Sequence, residues 1–353
     1  MSDVPRIPPE LIDYEIFSRL PVKSLLRFKC VSKHHYALID SPVFIKTQLL
    51  NCTHSNQNII FWNALNLYSL PLNSPNKPIL LNHHPFVKYL FWNPSTRKHH
   101  DLPVTKFDLP VNPNMPWVSY GFGYDDVNDD YKLLRISQYH NEVTDKVMIY
   151  SLKSHSWQTL DDCPFLSTTQ NQPFLTHGVF LDHSLHWLVL ENSGSRIAHI
   201  FAFHLGTEKY HKVPHPRFSG KNLLVYMNKL GGKLCLNCIC DKSHIDLWAM
   251  NTYGIRKSWT KLFSVQLPLF GHCCGIGFPI TITYSKDGKQ MLCQKVCNGE
   301  LFWYDLKLGI FKEACIPDIP LSLCAFLSVE SLVKLPHATD TSLIEDKGKS
   351  KKW

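Results

Sequence analysis

The chain carries twelve cysteines and nineteen histidines, so metal chemistry is the first possibility to weigh. Cys235-x2-Cys238-x-Cys240 is the densest group, with Cys273-Cys274 and Cys293-x3-Cys297 further along. Structural zinc takes four thiolate or imidazole ligands, commonly as two paired knuckles. Here the one CxxC lies inside a strand-like run from Lys233 to Ile239, and no clear second CxxC follows. Cysteine is also among the most buried residue types. The thiols are read as core residues, with no metal ligand assigned. His83-His84 and His99-His100 make poor chelators, because neighbours on a strand point to opposite faces. Asp125-Asp126-Val127-Asn128-Asp129-Asp130 clusters carboxylates of the kind a hard cation takes. It lacks the central glycine and terminal glutamate of a calcium loop. Between Gly121-Phe122-Gly123-Tyr124 and Tyr131-Lys132-Leu133-Leu134 it reads as a solvated turn. HExxH, GxSxG and the P-loop are absent. No catalytic residue and no cofactor is assigned.

The elements that would position such groups fall into two regions. The first fifty residues read as helix. Pro8-Pro9-Glu10 opens one, since proline is accepted in a first turn and an acid there suits the dipole. Ile12, Ile16 and Leu20 then recur at helical spacing, with Leu11 and Phe17 beside them, and Pro21 ends the run. A second helix carries Leu25, Leu26, Phe28 and Val31. Ser32 caps a third with Tyr36, Leu38 and Ile39, and Pro42 stops it. Three short helices bury little on their own, so the module is expected to lean on a partner.

From about residue 57 short apolar and aromatic runs alternate with turn residues, the all-β signal. Gly231-Gly232, Asp287-Gly288 and Asn298-Gly299 sit between matched runs and mark hairpins. The last two share a strand, which makes residues 279–306 a meander. A weak repeat runs through the region. Tyr150-Ser151-Leu152 leads to Trp157, Phe203-His204-Leu205 to Tyr210, Trp248-Ala249-Met250 to Trp259, and Tyr304-Asp305-Leu306 to Phe311. Trp92-Asn93-Pro94 is a degenerate copy. A period of about fifty residues with meander strands fits a kelch-like propeller blade.

Lys plus Arg is 37 and Asp plus Glu 29, a net charge of +8 with no basic stripe, so nucleic acid is not an expected partner. Lys347, Lys349, Lys351 and Lys352 form a basic end read as solvated and disordered. Hydrophobic residues make up 44% of the chain and charged residues 19%, enough for a sizeable core. No run approaches the roughly 18 apolar residues of a membrane span, and Met1 to Arg6 lacks a signal-peptide layout. A cytoplasmic or nuclear protein with reduced thiols and no membrane partner is expected.

The helical region carries a specific signature. Pro9-Glu10-Leu11-Ile12, followed by the run Ile16-Phe17-Ser18-Arg19-Leu20-Pro21-Val22-Lys23-Ser24-Leu25-Leu26-Arg27-Phe28-Lys29-Cys30-Val31-Ser32-Lys33, resembles an F-box. The later segments resemble the F-box-associated, kelch-like domain of plant F-box proteins. They are Phe91-Trp92-Asn93-Pro94-Ser95-Thr96-Arg97-Lys98, Tyr120-Gly121-Phe122-Gly123-Tyr124-Asp125, Asp130-Tyr131-Lys132, His177-Gly178-Val179 with His186-Trp187, and Val329-Glu330-Ser331-Leu332-Val333. The likeness covers residues 7–335. It implies a small three-helix F-box over 1–50, an all-β propeller of five or six blades over 51–338, and the tail at 339–353. It also implies the substrate-recognition subunit of an SCF-type ubiquitin ligase, itself non-catalytic. The F-box would dock on a Skp-type adaptor, and through it a cullin, while the propeller holds a protein target. By position in the motif, Pro9, Leu20, Pro21, Leu25, Leu26, Cys30, Val31 and Lys33 would contact the adaptor. For Leu20, Leu25 and Leu26 the competing role is the core of the helices themselves.

Three departures stand out. Pro8-Pro9 replaces the usual Leu-Pro, His35 replaces a tryptophan, and Leu80 to Tyr89 is a strand or hairpin short, which leaves the first blade open to being incomplete. Two other readings follow: an F-box binding or scaffold module acting outside ubiquitin ligation, or a decayed paralogue. A propeller enzyme would need carboxylates, histidines or tyrosines converging at the channel. The target surface is expected in inter-strand loops, with Pro110-x2-Pro113-x2-Pro116-Trp117 and Phe270-Gly271-His272 as candidates.

Overall fold

The structure is a computed structural model. It describes residues 11–52, 56–62, 66–72, 78–81, 90–103, 105, 117–138, 146–160, 163, 177–190, 198–217, 223–240, 244–266, 279–295, 299–314, 316, 324–336 and 339–340. Pro9, His83-His84, the proline-rich segment before Trp117, Phe270 to Cys274, Cys297 and the basic end lie outside these residues, as does most of the shortened segment before Phe91. The chain forms two compact units, Met1–Leu102 with Asn298–Phe302 and Glu313–Trp353, and Pro103–Cys297 with Trp303–Lys312.

The first unit opens with a wide helical turn, Leu11–Ile16, that runs into a tight one, Phe17–Arg19. A regular helix with Ile12, Ile16 and Leu20 on one buried face is not what forms. The change of pitch shifts the phase, so Phe17 is buried while Ile16 stays 46% exposed. Three α-helices follow: α1 (Val22–Phe28), α2 (Lys33–Asp40) and α3 (Pro42–Cys52). Ser32 caps α2 as its sequence requires, its Oγ accepting from the His35 N–H at 3.0 Å. Pro42 does more than stop α2. It is the first residue of α3, and Ser41 Oγ accepts from the Phe44 N–H at 3.2 Å, the serine-then-proline pattern of a helix start.

Two sheets complete this unit. β1 (Gln57–Trp62), β2 (Leu67–Pro71) and β3 (Ile79–Leu81) form an antiparallel meander, and the late strand Cys324–Val329 pairs with β1 on its other side. The first blade thus has four strands, one from the far end of the chain. β4 (Leu90–Asn93) and β5 (Lys98–Asp101) form a hairpin whose outer side takes Thr339–Asp340.

Four four-stranded antiparallel meanders follow, all in the second unit save Leu301, Phe302 and Glu313. They are β6–β9 (Trp117–Asp125, Asp130–Gln138, Lys146–Ser151, Ser156–Leu160), β10–β13 (Val179–Leu181, Ser184–Leu190, Ala198–His204, Lys209–Val213), β14–β17 (Leu223–Leu230, Lys233–Cys240, His244–Met250, Trp259–Gln266) and β18–β21 (Pro279–Tyr284, Gln290–Lys295, Leu301–Asp305, Ile310–Glu313). With the late strand numbered β22, the described residues hold five four-stranded blades and one three-stranded sheet.

One turn recurs and explains the sequence repeat. Asn93, Asp125, Ser151, His204 and Asp305 each end a strand and accept backbone N–H groups two or three residues on. The fifth residue of each turn, Arg97, Asp129, His155, Glu208 or Gly309, takes positive φ. That pattern is a side-chain-closed hairpin turn. The aromatic before four of these caps meets the aromatic after the turn across the ladder, Tyr124 and Tyr131 with ring centroids 5.0 Å apart. Tyr150 and Trp157 have ring centroids 5.3 Å apart, Phe203 and Tyr210 4.9 Å, and Tyr304 and Phe311 4.9 Å. In the β14–β17 blade the loop is longer, and Trp259 lies opposite Met250 instead. Blade packs on blade through apolar clusters, one joining Leu134 and Ile149 to Trp187 and Phe203, another joining Leu188 and Ile200 to Leu234 and Leu236.

Candidate functional site

The helical module has a closed core. Phe17, Val22, Leu25, Ile39, Phe44 and Ile45 are buried together, and the seventh buried member is Leu332, from just past β22. The module leans on its own chain. Glu330 Oε2 accepts from the Val22 N–H at 2.9 Å, Val333 packs beside Leu332, and Lys334 joins Lys29 on the Asp40 carboxylate. Burial works to raise the Asp40 carboxyl, but the hydrogen bonds and charges of the two lysines outweigh it and hold it below its ordinary value.

His35 sits in this core where a tryptophan was the expectation. Its ring lies 5.2 Å from Phe17 and 6.5 Å from Phe28, and its buried Nδ1 has no hydrogen-bond partner among the described residues. His35→Trp should therefore raise stability, by about 1 kcal/mol, through added ring contact and the loss of an unmatched polar atom. Thermal melts of the two proteins check this, and a lower midpoint for the tryptophan variant would mean that the site is too tight.

The same segment that closes the helices also receives the Asn93 turn. Asn93 Nδ2 donates to the carbonyls of Ser331 and Val333 at 2.9 and 3.0 Å, and the Ser331 N–H donates to Ser95 Oγ at 3.1 Å. Two motifs more than 230 residues apart are thus one structure. A second pair behaves likewise. Gly121 and Gly178 form a bridge under Trp187, and a Cβ on either would come within 2.6 Å of its ring. Trp187 Nε1 donates to Ser119 Oγ at 3.0 Å. His186, fully buried, faces Val179 O and the Tyr253 hydroxyl, and burial drives its pKa down to about 4. As a neutral ring it donates through Nδ1 and accepts from Tyr253 through Nε2.

Both linked pairs lie within the part of the chain that matches a known family. The F-box associated beta propeller domain matches residues 79–334, and the F-box domain matches residues 6–47. The chain belongs to the plant F-box proteins with an F-box-associated propeller. F-box protein CPR1 of Arabidopsis thaliana is 32% identical, covering 93% of this chain and 88% of that protein. F-box protein At4g22390 of the same plant is 28% identical over 92% and 90%, and F-box/kelch-repeat protein At3g23880 is 26% identical over 73% and 79%. An F-box indicates a Skp-type adaptor as partner, and the chain falls in the general class of SCF substrate receptors.

Of the adaptor-contact residues expected in this F-box protein, Pro21, Cys30, Val31 and Lys33 are exposed, and Leu20 and Leu26 are half-buried against the module's core. Leu25 is fully buried, so it shapes the surface from beneath. Leu11, Tyr14, Ile16, Tyr36, Val43 and Leu50 are large exposed apolar groups that the sequence reading did not assign to docking. The exposure of Leu11, Tyr14 and Ile16 goes with the pitch change, that of Val43 and Leu50 with α3, and Tyr36 lies on the outer side of α2.

Three of the cysteines and the aspartate run have packing and turn roles. Cys235, Cys238 and Cys293 are buried, and burial pushes all three thiols up, Cys235 to about 12. The aspartate run is the β6–β7 turn, with its carboxylates sent to different partners. Asp125 closes the turn and meets Lys132, Asp126 meets His183, Asp129 accepts from Tyr124, and Asp130 accepts from Ser151 and Lys153. No described helix is long and apolar enough to cross a membrane.

Proposed function

We propose that this chain is the target-binding subunit of an SCF-type ubiquitin ligase, that its F-box docks on a Skp-type adaptor, and that its propeller presents a protein target for ubiquitination. The carrying observation is the contrast within the helical module. Its core is already closed by Leu332, yet Val31 at 65%, Val43 at 65% and Leu50 at 77% exposure remain in solvent. Exposed apolar side chains on and between short helices, with Lys33 two residues from Val31, suit packing of the module into a partner's groove. Pro21, Cys30, Val31 and Lys33 are the direct contacts, with Leu20 and Leu26 at the edge and Leu25 as support. Pro9 completes the set by its place in the motif.

The test is a pull-down of purified full-length protein with a plant Skp-type adaptor, beside a Val31→Asp, Lys33→Glu variant. Both side chains are exposed, so the variant should fold and melt as the wild type does. Saturable binding by the wild type, weakened on the order of a hundredfold in the variant, is the expected result for an apolar anchor and a rim charge. Folded wild-type protein that does not bind would sink the assignment and favour a binding module outside ubiquitin ligation.

A further inference from the structure

We propose that Cys240, His244 and Asp246 form a zinc site at the loop end of the β15–β16 hairpin. A zinc knuckle would bring its ligands in sequence pairs, but here the register across a hairpin brings them together. Cys240 lies directly opposite His244, and Asp246 is two residues further along the same strand, so all three share one face of the sheet. Their donor atoms lie within 4.8 Å of one another, with His244 Nε2 3.9 Å from Asp246 Oδ1. A sub-ångström to ångström closure brings such a set to zinc bonding distances of about 2.0–2.3 Å.

Asp246 points to an ion independently of the spacing. Its side chain is only 9% exposed, and Oδ1 has no hydrogen-bond partner among the described residues. A buried carboxylate oxygen left unmatched is costly, and a divalent cation satisfies it. Oδ2 is held at 2.8 Å by Lys261 Nζ, which fixes the carboxylate with Oδ1 turned toward the histidine. The thiolate and imidazole select a borderline-soft ion such as Zn²⁺ over Ca²⁺ or Mg²⁺. Binding deprotonates Cys240, and the thiol proton leaves to solvent as the sulfur–zinc bond forms. His244, 30% exposed, gives the ion a way in and leaves a fourth position for water. The ion would staple the two strands where their connection departs from the ladder.

The experiment uses full-length protein stripped with a chelator and titrated with zinc against a chromophoric competitor. About one equivalent should bind, with proton release and a higher melting midpoint. Cobalt(II) in its place should give a thiolate-to-cobalt charge-transfer band. His244→Ala, at a partly exposed position, should fold yet weaken zinc on the order of tenfold or more. Cys240→Ser should abolish the cobalt band. Cys293→Ser, in another blade, should change neither readout. Less than stoichiometric binding by the wild type, or undiminished binding by both His244→Ala and Cys240→Ser, would overturn the proposal.

Discussion

Trp187→Ala should lower the stability of the protein by about 3–5 kcal/mol, the usual cost of emptying a large aromatic site in a core. Trp187 is fully buried, and its ring fills the space that Gly121 and Gly178 leave by having no side chain. The substitution also removes the hydrogen bond that the buried Ser119 hydroxyl accepts from the indole N–H. Trp187→Phe should recover part of the packing and none of that hydrogen bond. Gly121→Ala should be costly from the opposite side, because its Cβ would stand 2.6 Å from the ring. Urea denaturation of the variants measures all three. A loss under about 1 kcal/mol for Trp187→Ala would show that the β6–β11 contact contributes little.

Lys132→Met should cost about as much, because it leaves a buried charge without its partner. The ammonium donates to Asp125 at 2.9 Å, Glu208 at 2.8 Å and the Leu205 carbonyl at 2.9 Å, so its three N–H bonds are all used. The Asp125 side chain is 0% exposed and that of Lys132 8%. Burial acts to raise Asp125, but hydrogen bonds from Asn128 and Lys132 and the lysine charge win, and its pKa is lowered. Burial acts to lower Lys132, but Glu208 and Asp125 win, and its pKa is raised. The sign of each pH effect follows. Asp125's contribution is present above its unfolded pKa of about 3.9 and is lost as pH falls through the folded value. Lys132's contribution is present below its unfolded pKa of about 10.4 and is lost as pH rises through the folded value. The stability gap between wild type and Lys132→Met should thus be widest between about pH 4 and 10 and narrow in acid. Adding Asp125→Asn, which keeps an oxygen for the turn, should return part of the loss. A gap unchanged down to pH 2 would show that the carboxylate does not set it.

Both effects lie in motifs that the sequence displayed without explaining. The blades were legible because each is local. A cap residue, a residue at positive φ four positions later, and two aromatics across a ladder write the turn within a few residues of one another. The start of α2 was legible for the same reason, through Ser32. Ile16 was misjudged because helical spacing assumes one pitch, and the wide turn followed by a tight one breaks it. Ser41-Pro42 opens α3 as well as closing α2, since a proline that stops one helix is also accepted in the first turn of the next. What no short window could show was partnership over distance: β22 beside β1, Leu332 inside the helical core, Asn93 on Ser331 and Val333. Leu25 belongs here too, since only the packed module shows that it faces inward. The Cys240, His244 and Asp246 grouping needed the hairpin register as well as the residue types.

The place of Leu332 has a consequence for synthesis. The F-box helices are made first, and the residue that completes their core is made almost last. At about 5–20 residues per second, roughly 15–60 s pass between the emergence of Cys52 and that of Leu332. Through that interval the nascent helices lack Leu332 and the Glu330 contact to Val22. A chain terminated before Glu330 never acquires them. The helical core as it stands, with Leu332 inside it, is therefore completed only on ribosomal products that already contain the strands before β22.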